Sequence, residues 1–430
     1  MFNILNTTND RVKLNKLGIK FLYIGVLLLP TIPFIAVLSL IFSLLLSSNI
    51  NPKNYFKERS NKVFLIITSL MILSCIVNSF DSSNLILKDI GFLSWISLTN
   101  WIPFFWLFWG FEPYLKEPSV RKTIAKFLVI GTIPVIFSGF LQYFFDITGP
   151  FELLNGLIIW YQRPLNITDG ITGPFSNANY AGSWLALVWP FSIAFFEFNK
   201  NKLKKYITTI ICLLIIIALI LTNSRNAWLG MIVTIPVMIG FDYIFLFIPL
   251  ILLIGLSVTF LVSLIPLQLR DELVSFFTIN IFNNFPENPI SLEESFPRLG
   301  IWSFSLKSIS ERPLFGWGGG AFGILHKTFN GKWIGHPHNI ILELAINYGI
   351  ATSIILSTTI FKYLYKYYTL ITLHSKNVTQ NIKNNLTFEK AWFSSILFIT
   401  YSHLFDIQYF DLRISIISWI LLSGLKASMI

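Results

Sequence analysis

Charge is scarce in this sequence of 430 residues: Asp, Glu, Lys and Arg together make up 12%, against roughly a quarter in soluble domains. Cysteine is nearly absent. Cys75 and Cys212 both lie inside apolar runs, so a disulfide is not expected and no metal-ligand cysteine spacing exists. The glycine cluster Gly316-Trp317-Gly318-Gly319-Gly320 is not followed by Lys-Ser/Thr, which excludes a Walker loop and leaves a flexible turn. No long apolar run carries Lys, Arg, Asp or Glu near its middle. Ion-coupled transporters need ionisable groups at membrane depth, so this lack speaks against transport, a bicarbonate carrier included.

What is plentiful is apolar and aromatic: 54% hydrophobic residues, 16% aromatic and a mean hydropathy of +0.66. Such a composition cannot be wrapped around one water-soluble core, so the solvent is lipid. The basic excess, 32 Lys+Arg over 21 Asp+Glu, sits in short loops beside apolar runs. That is the pattern of membrane orientation, not of a nucleic-acid-binding face. Arg11, Lys13, Lys16 and Lys20 precede the first apolar run with no small-residue cleavage pattern after it, which reads as an uncleaved start-transfer segment.

Apolar runs suited to crossing a bilayer occur at about 63–79, 92–111, 123–145, 179–198, 206–222, 226–241, 243–264, 339–361, 391–408 and 412–427. The first stretch, 19–47, reads as a short hairpin broken at Pro30-Thr31-Ile32-Pro33 or as one long helix. Charge favours the hairpin, because both flanks are basic and basic flanks stay cytoplasmic. The loops 112–122, 199–205 and 362–390 are likewise basic, whereas the alternate short loops hold single basic residues. The expectation is an all-α polytopic membrane protein with about twelve transmembrane segments, or eleven if 19–47 is one helix. Both termini are expected in the cytoplasm. Residues 1–264 form an N-terminal transmembrane bundle, 265–338 a long periplasmic loop, and 339–430 the C-terminal transmembrane helices. Within the loop, Leu299, Trp302, Leu306 and Ile309 recur at helical spacing between Arg298 and Glu311, predicting an amphipathic helix on the membrane face.

This topology puts the chemically notable residues on one side: Arg163, Arg225, Arg298, His336 and His338. In His336-Pro337-His338-Asn339, at the start of a membrane helix, an imidazole can take a proton near neutral pH; the plainer reading is a loop histidine before an asparagine cap. Glu343 follows one turn in. A zinc pair is a further option, but it lacks a third ligand beyond His403 or Asp406 on a neighbouring helix. Arg225, in Thr222-Asn223-Ser224-Arg225-Asn226, is suited to bidentate phosphate binding, and alone it reads equally as an arginine reaching for headgroups. Arg298 has the same two readings, and Arg163 is a weaker candidate. Asn177 and Asn179, in the stretch GPFSNANYAG, suit a helix start. Asp406, Asp411 and Arg413 in the last outer turn line an acceptor entrance or simply face water.

Taken in order, GPFSNANYAG, TNSRNAWLG, PRLGIWSFSLKSISERPLFGWGGGAFG and HPHNIILELAINYG resemble the O-antigen ligase/polymerase-like superfamily of bacterial membrane glycosyltransferases over roughly 160–350. The resemblance implies a GT-C-type fold in the bacterial inner membrane with a periplasmic active site. It implies an undecaprenyl-diphosphate-linked glycan as donor, lipid A–core or a growing glycan as acceptor, membrane lipids as surroundings, and no cofactor, metal or nucleic acid. By motif match His338 takes the place of the proposed base, while Arg225 and Arg298 match the arginines proposed to grip the diphosphate. His336, Arg163, Glu343, Asn339, Asn177 and Asn179 are secondary candidates. Inverting, metal-independent transfer of O-antigen ligase type is the leading expectation. A Wzy-type polymerase and a protein O-oligosaccharyltransferase are the alternatives.

Overall fold

Lipid offers no partner to a backbone N–H or C=O, so an apolar chain of this kind satisfies itself as helices. The computed structural model describes residues 8–50, 55–80, 85–166, 169–199, 201–240, 297–375 and 380–429. The run at 243–264 and the first part of the 265–338 loop lie outside the described residues. Helices are α1 (Thr8–Leu28), α2 (Pro33–Ser48), α3 (Arg59–Phe80), α4 (Leu85–Ser97), α5 (Ile102–Gly110), α6 (Glu112–Leu115), α7 (Pro118–Phe145), α8 (Ala178–Phe198), α9 (Lys202–Leu221) and α10 (Arg225–Ile239). After the loop come α11 (Pro297–Glu311), α12 (Ala321–Asn330), α13 (Ile340–Tyr348), α14 (Ile350–Ser375), α15 (Gln380–Phe405) and α16 (Leu412–Ala427).

Among the described residues, five stretches are long and apolar enough to cross a membrane: Arg59–Phe80, Ile90–Gly110, Pro118–Phe145, Ala178–Phe198 and Lys202–Leu221; Pro33–Ser48 and Arg225–Ile239 are shorter apolar helices. The stretch 19–47 is a hairpin. Pro33 opens α2, and the arms run antiparallel, with Ser43 Oγ donating to the Gly18 carbonyl at 2.7 Å. A Cβ at Gly25 would fall 2.5 Å from Leu40, so glycine permits this approach.

Two expectations need correction, and one helix forms as expected with an inward face that the spacing did not show. The run 339–361 is not one helix: Gly349, at φ +87°, separates α13 from α14. The Ile350 N–H turns to the Pro313 carbonyl at 2.9 Å, and a Cβ on Gly349 would stand 2.0 Å from the Leu314 oxygen. The helix breaks because the chain at 313–315 passes through the gap. In α11 the inward face is Ile301, Ser305, Ser308 and Ile309, whereas Leu299 and Leu306 are exposed. Finally, the all-α expectation misses a short antiparallel hairpin, β1 (Phe151–Leu153) with β2 (Ile158–Trp160), pinned by the Trp160 indole N–H on the Thr31 carbonyl at 2.8 Å.

The main core is aliphatic and aromatic, with Trp184, Phe108, Phe191, Tyr367 and Phe398 fully buried. A satellite core of Ile90, Ile301, Ile309, Phe322, Leu325 and Ile346 lies under α11 and α12. The two ends of the bundle differ chemically. At one, Lys426 pairs with Glu58 at 2.6 Å and Glu112 at 2.5 Å, and Arg121 pairs with Glu389. At a rise of 1.5 Å per residue these lie roughly 25 Å along α15 and α16 from the ends that carry Asp406 and Asp411.

Candidate functional site

At the mouth of α13 the chain is bent by need of a cap. Asn339 Oδ1 accepts from the Ile341 and Leu342 N–H groups at 2.9 and 3.1 Å, and its Nδ2 donates to the Leu404 carbonyl at 3.1 Å. The cap therefore also ties α13 to the last turn of α15. One residue earlier His338 takes a left-handed φ of +55°, uncommon for a residue with a Cβ. That turn aims its ring at α15. Pro337 is fixed from the other side by the Trp302 indole N–H of α11, 3.0 Å from its carbonyl oxygen.

His338 Nδ1 lies 2.9 Å from Asp406 Oδ1. The imidazole is 31% exposed and the carboxylate 8%, so the pair has an open side and a buried side. Asp406 is itself held: Oδ1 accepts from the Ile407 N–H at 3.0 Å and Oδ2 from Gln408 Nε2 at 2.9 Å. Burial alone would raise its carboxyl; the hydrogen bond with His338 leads the effects that outweigh this and hold it below the usual carboxylate value. With Nδ1–H given to Asp406, Nε2 carries the lone pair and has no protein hydrogen-bond partner among the described residues.

His336 sits beside it, ring centroids 4.3 Å apart, and stacks on Phe410. Its Nδ1 accepts the His338 backbone N–H at 3.2 Å. Burial first, then the neighbouring His338, with Arg298 adding to them against Asp406, pushes its pKa down to about 4. His336 is thus a neutral neighbour at ordinary pH. Arg298 stands at the exposed start of α11, and its charge bears on His336.

Arg225 is the first residue of α10, also exposed, after a turn in which Asn223 has φ +52°. The next residue, Asn226, donates to Ser402 Oγ at 2.8 Å, and the Ser402 carbonyl accepts the Asp406 N–H. Arg225 thereby enters at the same end of α15 as the His338–Asp406 pair.

The other expected residues divide. Glu343 is buried below the pair, accepting from Asn347 Nδ2 at 2.8 Å and the Tyr409 hydroxyl at 3.0 Å. Asn177 caps α8 through the Tyr180 N–H at 2.9 Å, while Asn179 is exposed on its first turn. Arg163 has an exposed side chain; its backbone is held by Gln142 and Thr172, and no described contact draws it to His338. Asp411 and Arg413 neither line an entrance nor face water. They form a buried ion pair with Nε 3.0 Å from Oδ1, and Arg413 donates to the Pro174 carbonyl at 3.0 Å and lies 3.8 Å above the Phe175 ring. Their work is to clamp the GPFSNANYAG stretch.

His336, His338 and Asp406 also form the one three-residue group, among the described residues, whose donor atoms all come within 4.8 Å of one another. Of the two third ligands that the sequence offers, Asp406 is brought in and His403 is not: its Nδ1 is on the Ile399 carbonyl of its own helix.

Residues 210–357 match the family model described as O-antigen ligase. Over 200 residues the chain is 28% identical to the ComP-specific O-oligosaccharyltransferase of Acinetobacter baylyi, covering 44% of this chain and 34% of that relative. The chain thus spans about a third of the relative it matches. The resemblance to an O-antigen ligase-like family is borne out on the segment that holds Arg225, Arg298, His336, His338, Asn339 and Glu343; Arg163, Asn177 and Asn179 lie before the family match.

Proposed function

We propose, from the likeness to O-antigen ligases, that this protein is a membrane glycosyltransferase that moves a glycan from an undecaprenyl-diphosphate donor to an acceptor hydroxyl. The observation that carries the reading is the half-open His338 imidazole with one nitrogen on Asp406 and the other without a hydrogen-bond partner among the described residues. His338 Nε2 takes the proton of the attacking hydroxyl. Asp406 fixes the tautomer and steadies the imidazolium that forms, as a carboxylate does behind a histidine base in acyl transfer. A glycosyl diphosphate already has a good leaving group, so what departure needs is positive charge where the phosphate charge develops. Arg225 and Arg298 supply it, both as forks that stay charged beside lipid. Attack opposite the diphosphate inverts the anomeric carbon, and no step calls on a metal.

The same reading puts the site at the periplasmic face of the bacterial inner membrane, in a GT-C-type bundle of about twelve segments with both termini cytoplasmic. Lipid A–core is the first acceptor to test and a growing glycan the second. The oligosaccharyltransferase relative favours a third, a hydroxyl on a protein. The test is transfer in membranes with a lipid-linked donor and each acceptor in turn. His338→Ala and Arg225→Ala at normal protein levels are expected to abolish it. Full transfer by either variant removes the proposal.

A further inference from the structure

Two imidazoles and a carboxylate converging from separate loops are also a ligand set. We infer that His336, His338 and Asp406 form a binding site for a divalent transition metal, Zn2+ in the first instance, and that occupation takes His338 away from proton transfer. The competition rests on the function proposed above; the binding does not.

Imidazole and carboxylate are ordinary zinc ligands, at about 2.0–2.2 Å, and three protein ligands leave a fourth position open. Around a tetrahedral ion of that size, donor atoms stand about 3.4 Å apart. The His338–Asp406 separation of 2.9 Å is already short enough, and the widest separation in the group, at most 4.8 Å, must close by roughly 1.4 Å. Rotation of the His336 side chain, which lies in the loop before α13, supplies this at the expense of its ring contacts with Phe410 and His338 and of the hydrogen bond from the His338 N–H to its Nδ1. The metal takes the place of the proton between Nδ1 and Oδ1; that proton moves to Nε2, so the ring stays neutral, its lone pair is on the metal, and Nε2 can no longer accept the proton of a hydroxyl. The shell behind the ligands is in place: Gln408 and the Ile407 N–H hold the carboxylate, and Trp302 holds Pro337. Such outer partners fix ligand direction. Arg298 opposes a cation here, which limits affinity without closing the site.

The metal is not a cofactor of transfer in this scheme. It occupies the nitrogen-and-carboxylate pair that the base needs, so the enzyme is active when the site is empty of zinc and inhibited when it is filled.

The full chain, purified in detergent without a polyhistidine tag, would be titrated with Co2+, whose visible absorption reports four-coordinate binding. One Co2+ per chain, displaced by Zn2+, is expected. His336→Ala and Asp406→Asn each raise the dissociation constant about tenfold or more, whereas His326→Gln, remote from the group with its Nδ1 on the Lys332 carbonyl, leaves it unchanged. His336→Gln serves if the alanine variant unfolds. No visible band, or one that survives both His336 substitutions, overturns the site. In the transfer assay Zn2+ should inhibit at concentrations tracking its dissociation constant; binding without inhibition overturns the competition. Because the absorbance needs no substrate, a failed glycosyltransferase reading and a failed metal site give different results.

Discussion

His338 has one nitrogen committed and one open, and the two carry different expectations. Removing the ring in His338→Ala should lower turnover by about 10²–10⁴-fold, the usual weight of general-base assistance. Asp406→Asn should lower kcat by a smaller factor with little change in donor KM, because the base remains but its tautomer is no longer fixed. Steady-state rates at saturating donor check both. For the arginines the split runs the other way. Arg225→Lys and Arg298→Lys keep the charge and lose the fork, so donor binding should weaken, read as a raised KM or lost donor retention on the purified protein. At this scale the sequence was legible where the chemistry is local. Asn339 and Asn177 declare themselves by standing just before apolar helices, and both cap. Asp406 could be suspected but not assigned, since the imidazole it serves is 68 residues away. Asp411 and Arg413 misled for a related reason: a buried pair and a solvated one have the same spelling.

Between elements, the joints decide more than the helices do. Gly349 occupies a left-handed turn with a carbonyl where its Cβ would be. Gly349→Ala should therefore destabilise by about 1–3 kcal/mol, measured as thermal unfolding in detergent, and should disturb the cap of α13 and with it transfer. The Asp411–Arg413 pair fastens α16 to the chain at 174–175. Asp411→Asn leaves a buried guanidinium short of its counter-ion, a change worth about 3–5 kcal/mol. An unfolding midpoint close to that of the unchanged protein would contradict this account. Periodicity revealed the long helices and the break at Pro30–Pro33, because lipid demands unbroken apolar runs and proline interrupts them. It did not reveal the break at 349 or the inward face of α11. The first depends on a distant strand of chain filling a gap and the second on the satellite core that α11 packs against, and neither alters the local pattern.

Over the whole molecule, the Lys426 and Arg121 ion pairs gather at one end of the bundle and the His338 group, with the buried Asp411–Arg413 pair, at the other, with apolar helices between. That polarity suits a protein fixed across a bilayer in one orientation, and it can be measured. Cys75 is buried and Cys212 partly so, which gives a low background for single-cysteine reporters. In intact cells a cysteine replacing Asn155 on the β-hairpin tip should react with an impermeant maleimide, and one replacing Lys116 should not; the reverse pattern would invert the proposed topology. The order of the chain has a consequence in time. His338 leaves the ribosome 68 residues before Asp406, and the clamp from Arg413 comes later still. A half-made chain therefore carries the His338 imidazole before the carboxylate that holds it. On the proposed function, full turnover waits until the final helices dock.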